Sequence, residues 1–454
     1  MPASRNQRSL SLCNRVARRD AMKVGVMGAT GLTLPSLLRA RSAARERGQS
    51  TRDTSIVWLW MQGGAPHIET FDPKMDAPSN YRSMIGAVDT RLPGVQFGGL
   101  YPGLANMADQ MAIVRSFQHT NPDHLGASHY VLTAADAPFG VTQQTKPSFG
   151  SIAAKMRGVS HPTSGIPTYI RINTTISFDF DQPLWLGAGC TPFDASGPAR
   201  TNMALTVSPR RVRGRAHLLN GLDRLRREVD QTGVMHGMDS FEQQAFELIL
   251  GHSTEAFDLS REDPRVREKY GPGFGEQMLM ARRLCEAGAG FVSLNYCYAP
   301  TPSESPYAWD MHLGPGQPNA GPMLGQLEAI CPTMDHVLTT FLQDVAQRGL
   351  SEKILLIITG DFGRTPKINQ YGGRDHWPDL STLALAGGGL RMGQVVGTSS
   401  SKAEFPTSSP IEPKDLMATI FHVLGIDLKL QFPDYAGRPQ YLLPEGAEPI
   451  RELI

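Results

Sequence analysis

A run of five apolar residues, Ile354-Leu-Leu-Ile-Ile358, is closed by Thr359-Gly360-Asp361. A short, unbroken apolar run rich in β-branched residues reads as a strand buried on both faces. Such a strand needs helices over both sides of its sheet, which commits the chain to an α/β architecture. The run ends on a carboxylate, and open α/β sheets bind ligands beyond the carboxyl ends of their strands. Arg364, Thr365, Lys367, Asn369, Arg374, Asp375, His376 and Trp377 follow closely, and the turns Gly360–Gly363 and Gly372–Gly373 keep this charge near the strand.

Other segments repeat the pattern. Ser55–Met61 reads as a first core strand ending in Gln62-Gly-Gly-Ala-Pro-His67, and Met111–Arg115, Thr168–Ile172, Gly290–Tyr296 and Leu380–Ala386 read as further strands. Helices are expected at Tyr101–Asp109, His124–Ala134 with Asp123 as its cap, Arg210–Asp230, Ser240–Gly251, Asp263–Tyr270, Gly275–Glu286, Gly321–Arg348 and Glu412–Leu424. In the last of these Leu416, Ile420, Val423 and Leu424 share one face, and Gly425 stops it. Strands alternating with helices imply a largely parallel sheet with right-handed crossovers. With no clear linker, residues 52–454 read as one domain carrying a less regular insertion at about 160–235, where Gly187–Pro198 is a Gly/Pro-rich loop.

The N-terminus differs from the rest. Arg18-Arg19-Asp20-Ala21-Met22-Lys23 precedes a mildly apolar run, Val24–Leu38, and small residues at Ala40 and Ala43-Ala44. This arrangement resembles a twin-arginine export leader over about residues 1–45, with Ala21 where a Phe is common. It implies the twin-arginine translocation machinery as a partner and a periplasmic or envelope location. The Val24–Leu38 run is too short and Gly-rich to span a bilayer, and no later segment does better. Cys13 lies in the leader, and the spacing of Cys190, Cys285, Cys297 and Cys331 matches no metal-binding pattern, so these four read as buried thiols. A net charge of +1, without a basic stripe interleaved with aromatics, excludes nucleic acid as the main partner. Gly387-Gly-Gly-Leu-Arg-Met-Gly393 lacks dinucleotide-loop spacing, and there is no GxSxG nucleophile elbow, so no nucleotide cofactor is expected.

Three loops at strand ends carry the chemistry: Gln62–His67, Trp309–His312 and Asp361–His376. A parallel sheet brings them to one edge. Asp310 and His312 are two apart, so an extended backbone turns both to the same side, where they can grip one ion. Imidazoles with carboxylates suit zinc, manganese or iron better than magnesium. Asp310, His312, Asp361 and His376 are therefore the expected ligands of a divalent metal. The rival arrangement is a simple ion pair between Asp361 and Arg364. His119, His124 and His129 fall within eleven residues, in a chain with 12 histidines. His124, at the start of its helix, reads as a general base or a nucleophile. His67 and Arg364 complete the expected catalytic set.

The stretches QGGAPHIETFDPK, PDHLGASHYVLTA, AFDLSRED, WDMH, TGDFGRTPKIN, GRDHWP and GRPQYLLPEGAEPIRELI, with the leader, together resemble the bacterial family named domain of unknown function 1501 over nearly the whole chain. That family is similar in layout to the alkaline phosphatase and sulfatase superfamily. Leu100–Ala134, ITGDFG and Pro413–Arg438 resemble its nucleophile, strand-end metal and C-terminal segments. The resemblance implies a three-layer α/β/α sandwich and a two-metal site for hydrolysis of sulfate or phosphate esters, on a small molecule or a polysaccharide. The nucleophile position falls near His124 and its Arg near Ser128, the His after the strand-end Asp is Phe362, and the first strand ends on Gln62 rather than on paired Asp. The resemblance thus implies that one metal position is lost or rebuilt. A non-catalytic envelope binding protein that keeps the hydrolase fold is the alternative expectation.

Overall fold

The computed structural model describes residues 53–138, 140–141, 143–173, 180–197, 252–296, 309–313 and 322–454. Arg18 and Arg19 with the leader, Cys13, Cys297, the two helices expected at Arg210–Asp230 and Ser240–Gly251, and much of the insertion lie outside these residues.

Among the described residues eight strands form the central sheet: β1 (Ser55–Met61), β2 (Ala112–Val114), β3 (Tyr169–Arg171), β4 (Phe193–Asp194), β5 (Phe291–Asn295), β6 (Ile354–Gly360), β7 (Leu383–Gly387) and β8 (Gln394–Val396), in the spatial order β8-β2-β7-β6-β1-β5-β3-β4. β1 and β6 are buried at every residue, as their continuous apolar runs require. Along β1, Val57, Leu59 and Met61 face one core and Ile56, Trp58 and Trp60 the other, because successive side chains alternate across a sheet. α4 (Phe274–Glu286) and α5 (Met323–Gln347) cover the first face through residues such as Leu279, Leu284, Leu327 and Met334. α2 (His124–Thr133), α3 (Phe149–Arg157) and α6 (Pro413–Leu424) cover the second through Val131, Ile152, Leu416 and Ile420. The result is the expected three-layer α/β/α sandwich.

β7 departs from the expected parallel order. It pairs antiparallel with both β6 and β2, while the other seven strands run one way. A parallel return needs a crossover of a dozen or more residues, usually a helix. The stretch between β6 and β7 holds a two-residue ladder, Gly363–Arg364 against His376–Trp377, and no helix, so the chain doubles back. Within the expected insertion, β3 and β4 add two parallel strands at one edge of the sheet. The expected helix at Tyr101–Asp109 is broken into α1 (Pro102–Ala105) and a tight turn at Ala108–Gln110.

Helix ends follow local chemistry. The Asp123 side chain accepts the Gly126 N–H at 3.0 Å and starts α2, and Ala134 closes it in a left-handed conformation. Glu412 and Asp415 form a reciprocal cap on α6, and Gly425, with φ +69°, ends it. Cys190, Cys285 and Cys331 are buried free thiols. Among the described residues no helix is long and apolar enough to cross a membrane.

Candidate metal centre

β1 and β6 pair in parallel with Met61 opposite Gly360, so the segments after them leave the sheet side by side. Asp361 is the first residue beyond β6 and is buried. Gly63 and Gly64, just beyond β1, have φ of +94° and +82°. A Cβ at Gly63 would lie 2.5 Å from the Asp310 backbone nitrogen, and one at Gly64 2.5 Å from the Phe362 carbonyl. Glycine at both positions therefore lets the Asp310 and Asp361 segments close over the strand end. The N-terminus of α2 brings His124 to the same edge, and the ladder after Asp361 brings His376.

Three imidazoles converge on one carboxylate. The Nε2 atoms of His124, His312 and His376 lie 3.4, 3.4 and 3.2 Å from the carboxylate of Asp310. His124 Nδ1 lies 2.6 Å from Asp361 Oδ2, and His376 Nδ1 lies 2.9 Å from the Pro122 carbonyl. A carboxylate or a carbonyl only accepts, so in both rings Nδ1 donates, and Nε2, which also faces an acceptor, either carries a second proton as imidazolium or offers its lone pair to a cation. Lone pairs aimed at an anion repel it unless a proton or a metal cation lies between them. Ligand atoms of His124, Asp310 and His376 all lie within 4.8 Å of one another, as one ion requires. Asp361 Oδ1 is buried without a hydrogen-bond partner, a further sign of unbalanced negative charge. The residues present fit a divalent metal.

The protonation equilibria agree. Burial would lower the His124 pKa, but its hydrogen bonds and charge interactions with Asp310 and Asp361 outweigh that and push it up to about 9. A proton on that ring then takes the cation's place. Burial would raise Asp310, but His124, His376 and the Arg364 guanidinium hold its carboxyl well below the usual range. Burial lowers His376, against the pull of Asp310 and helped by Arg364.

Arg364 has no exposed surface. It donates to Asp310 Oδ1 at 2.6 Å, to the Gly64 carbonyl at 3.0 Å, to the Arg374 carbonyl at 3.2 Å and to the Gly63 carbonyl. Arg364 thus pairs with Asp310 and not, as in the rival arrangement, with Asp361, whose carboxylate turns toward His124. The bonds of Arg364 occupy most donors of its guanidinium and fix it against Asp310. Phe362, where the resemblance implies a histidine, is buried with its ring 4.8 Å from His124 and 4.4 Å from His376.

The structure brings Asp310, His312, His376, Asp361, His124 and Arg364 together, with the His312 and His376 rings 5.3 Å apart. His124 stands with Asp310 and His376 in the group that could hold an ion, and Asp361 stands behind it, hydrogen-bonded to its Nδ1. His67 is not part of the group. Its Nε2 bonds to the Ala403 carbonyl at 3.0 Å, and burial pushes its pKa down to about 4. His119, not selected from the sequence, belongs to the support. Its Nδ1 accepts the Asn121 N–H at 3.2 Å, so Nε2 donates to the Asp361 carbonyl at 2.8 Å. Its closeness in sequence to His124 was the available signal.

A family model described as "Protein of unknown function (DUF1501)" matches residues 53–454. No curated protein matches the chain. Among solved structures, the chain is similar to the lipoteichoic acid synthase LtaP from Listeria monocytogenes, at 10% identity over 85% of this chain and 78% of that one, with a TM-score of 0.37. It is similar to the PsFucS1 sulfatase from Pseudoalteromonas sp., at 14% identity over 91% and 76%, with a TM-score of 0.37. It is also similar to the phosphonate monoester hydrolase SpPMH from Silicibacter pomeroyi, at 13% identity over 88% and 76%, with a TM-score of 0.36.

Proposed function

The chain belongs to the DUF1501 family, and from that premise we propose that it is an exported hydrolase of sulfate or phosphate esters that depends on a divalent metal such as zinc or manganese. The observation that carries the reading is the convergence of His124, His312 and His376 through Nε2 on the single carboxylate of Asp310. An ion held there would polarise the ester oxygen and raise the acidity of a bound water.

The chain's own residues prepare that chemistry. Asp361 holds His124 in the Nδ1–H tautomer, the carboxylate–histidine pairing common behind metal ligands. The Pro122 carbonyl does the same for His376. Arg364 fixes Asp310, and Phe362 closes the buried side of the His124 and His376 rings. With neutral imidazoles, Arg364 contributes +1 and Asp310 and Asp361 contribute −1 each, a balance of −1. A divalent ion makes that +1, which suits an anionic ester. None of the contacts described for His124, Asp310 or His376 involves a serine, threonine or cysteine. Direct attack by water therefore fits the site better than a covalent serine or cysteine intermediate.

Export by the twin-arginine route rests on Arg18 and Arg19, and the substrate is an ester on a small molecule or a polysaccharide. The second reading, a binding protein without turnover, is favoured by the absence of a serine, threonine or cysteine from the described contacts of the cluster. Metal analysis of the purified protein, with assays on 4-nitrophenyl sulfate and 4-nitrophenyl phosphate, separates the two. Bound metal with turnover that disappears in Asp310→Asn supports the hydrolase; a folded, metal-free and inert protein overturns it.

A further inference from the structure

Glu69 and Arg374 form an ion pair in which neither side chain has exposed surface. Arg374 Nε donates to Glu69 Oε1 at 3.1 Å. Its remaining donors go to the carbonyls of Tyr81 at 3.1 Å, Arg82 at 3.0 Å, Thr365 at 3.1 Å and Pro366. Glu69 Oε2 accepts from Ser83 Oγ at 2.8 Å and the Met84 N–H at 2.9 Å. Every partner is satisfied, yet a buried pair is weak evidence of a stabilising role, since well-packed apolar replacements often fold as well or better.

The backbone of the same residue shows another role. The Arg374 N–H donates to the Met311 carbonyl at 3.1 Å, and its carbonyl accepts from Arg364 at 3.2 Å. Gly373 packs so closely that a Cβ there would lie 2.5 Å from the Met311 carbonyl. Asn369 Nδ2 donates to the His312 carbonyl at 2.5 Å. On the other side, the Trp309 N–H donates to the Gln62 carbonyl at 2.9 Å. Residues 309–313 are thus gripped between the loop after β1 and the loop that carries Arg374, and Asp310 stands at the centre of the grip. His376 follows Arg374 by two residues.

We propose that the Glu69–Arg374 pair is a positioning device for the Asp310–His376 cluster. The planar guanidinium, sunk among five acceptors, fixes the backbone at 374, and that backbone sets the depth of Asp310 and the direction of His376. A lysine carries the same charge but cannot fill this fork. The proposal rests on reading the cluster as a metal centre only for its effect on metal affinity.

The test compares the intact protein with Arg374→Lys and with the doubly neutral Glu69→Gln/Arg374→Met. Three measurements are made on each: thermal melting, amide hydrogen exchange, and Mn²⁺ binding by calorimetry. The expected result is a cooperative melt close to the parent for the double variant. Exchange at the Trp309 amide and at the position-374 amide becomes at least tenfold faster in both variants, with β1 amides unchanged, and Mn²⁺ affinity falls at least tenfold. Parental exchange at both amides in both variants overturns the proposal. So does acceleration spread evenly over β1 and β6, which marks a purely structural pair. If the parent binds no Mn²⁺ the metal reading fails, while exchange at 309 and 374 still decides the positioning role. Should the double variant not fold, Arg374→Lys, which keeps the charge, gives the same readout.

Discussion

His124 donates from Nδ1 to Oδ2 of Asp361 across 2.6 Å, joining the first residue of α2 to the residue just beyond β6. The contact spans 237 residues of sequence and turns the other ring nitrogen, Nε2, toward Asp310. A strand end and a helix start, each readable locally, thereby become parts of one centre.

Asp361→Asn replaces the acceptor while keeping its shape. The His124 tautomer is then no longer enforced, and losses of about 10- to 100-fold in metal affinity are typical for such a partner. Calorimetric titration with Zn²⁺ or Mn²⁺ measures this, and an unchanged affinity would remove Asp361 from its supporting role.

The metal-free protein should lose stability in alkali. The His124 pKa rises from 6.5 unfolded to about 9 folded, so its contribution is complete below pH 6.5 and is lost as pH climbs through 9. Asp310 has the opposite sign: its lowered pKa stabilises the fold above the ordinary carboxylate range and stops doing so in acid. Melting curves in chelator between pH 6 and 10 should fall for the parent and fall less steeply for His124→Asn. Parallel slopes would contradict the assignment.

Gly63→Ala introduces a Cβ 2.5 Å from the Asp310 backbone nitrogen at a φ of +94°. A side chain in that conformation carries about 1–3 kcal/mol of strain. The expected variant folds with a lower melting temperature and loses metal binding, since Asp310 must move. Parental metal affinity would show that the close approach is not needed.

His67→Ala tests the opposite expectation. His67 is buried and bonds to the Ala403 carbonyl rather than to the cluster, so the change should cost about 1–3 kcal/mol of stability and leave metal affinity unaltered. A protein that melts as the parent does yet binds no metal would return His67 to the site.

Arg18→Lys with Arg19→Lys should keep the precursor in the cytoplasm, because the export receptor reads the guanidinium pair rather than charge alone. Fractionation of cells followed by immunodetection checks it; undiminished periplasmic protein rules the twin-arginine route out.

The sequence by itself determined the parts. The apolar run at Ile354–Ile358 announced a doubly covered strand, Asp123 announced the start of α2, and Gly425 the end of α6, because periodicity, capping and left-handed turns act over a few residues. It also placed Asp310, His312, Asp361 and His376 at one edge, since a parallel sheet gathers the carboxyl ends of its strands. Only the tertiary structure decided the pairings. β7 runs antiparallel because the β6–β7 connection carries no helix. Arg364 serves Asp310 rather than Asp361, His124 joins Asp310 and His376, His67 bonds to Ala403, and Glu69 meets Arg374 across 305 residues. These partners are chosen by strand register and by how closely glycine-bearing loops approach, and neither is written in the local pattern around any one of them.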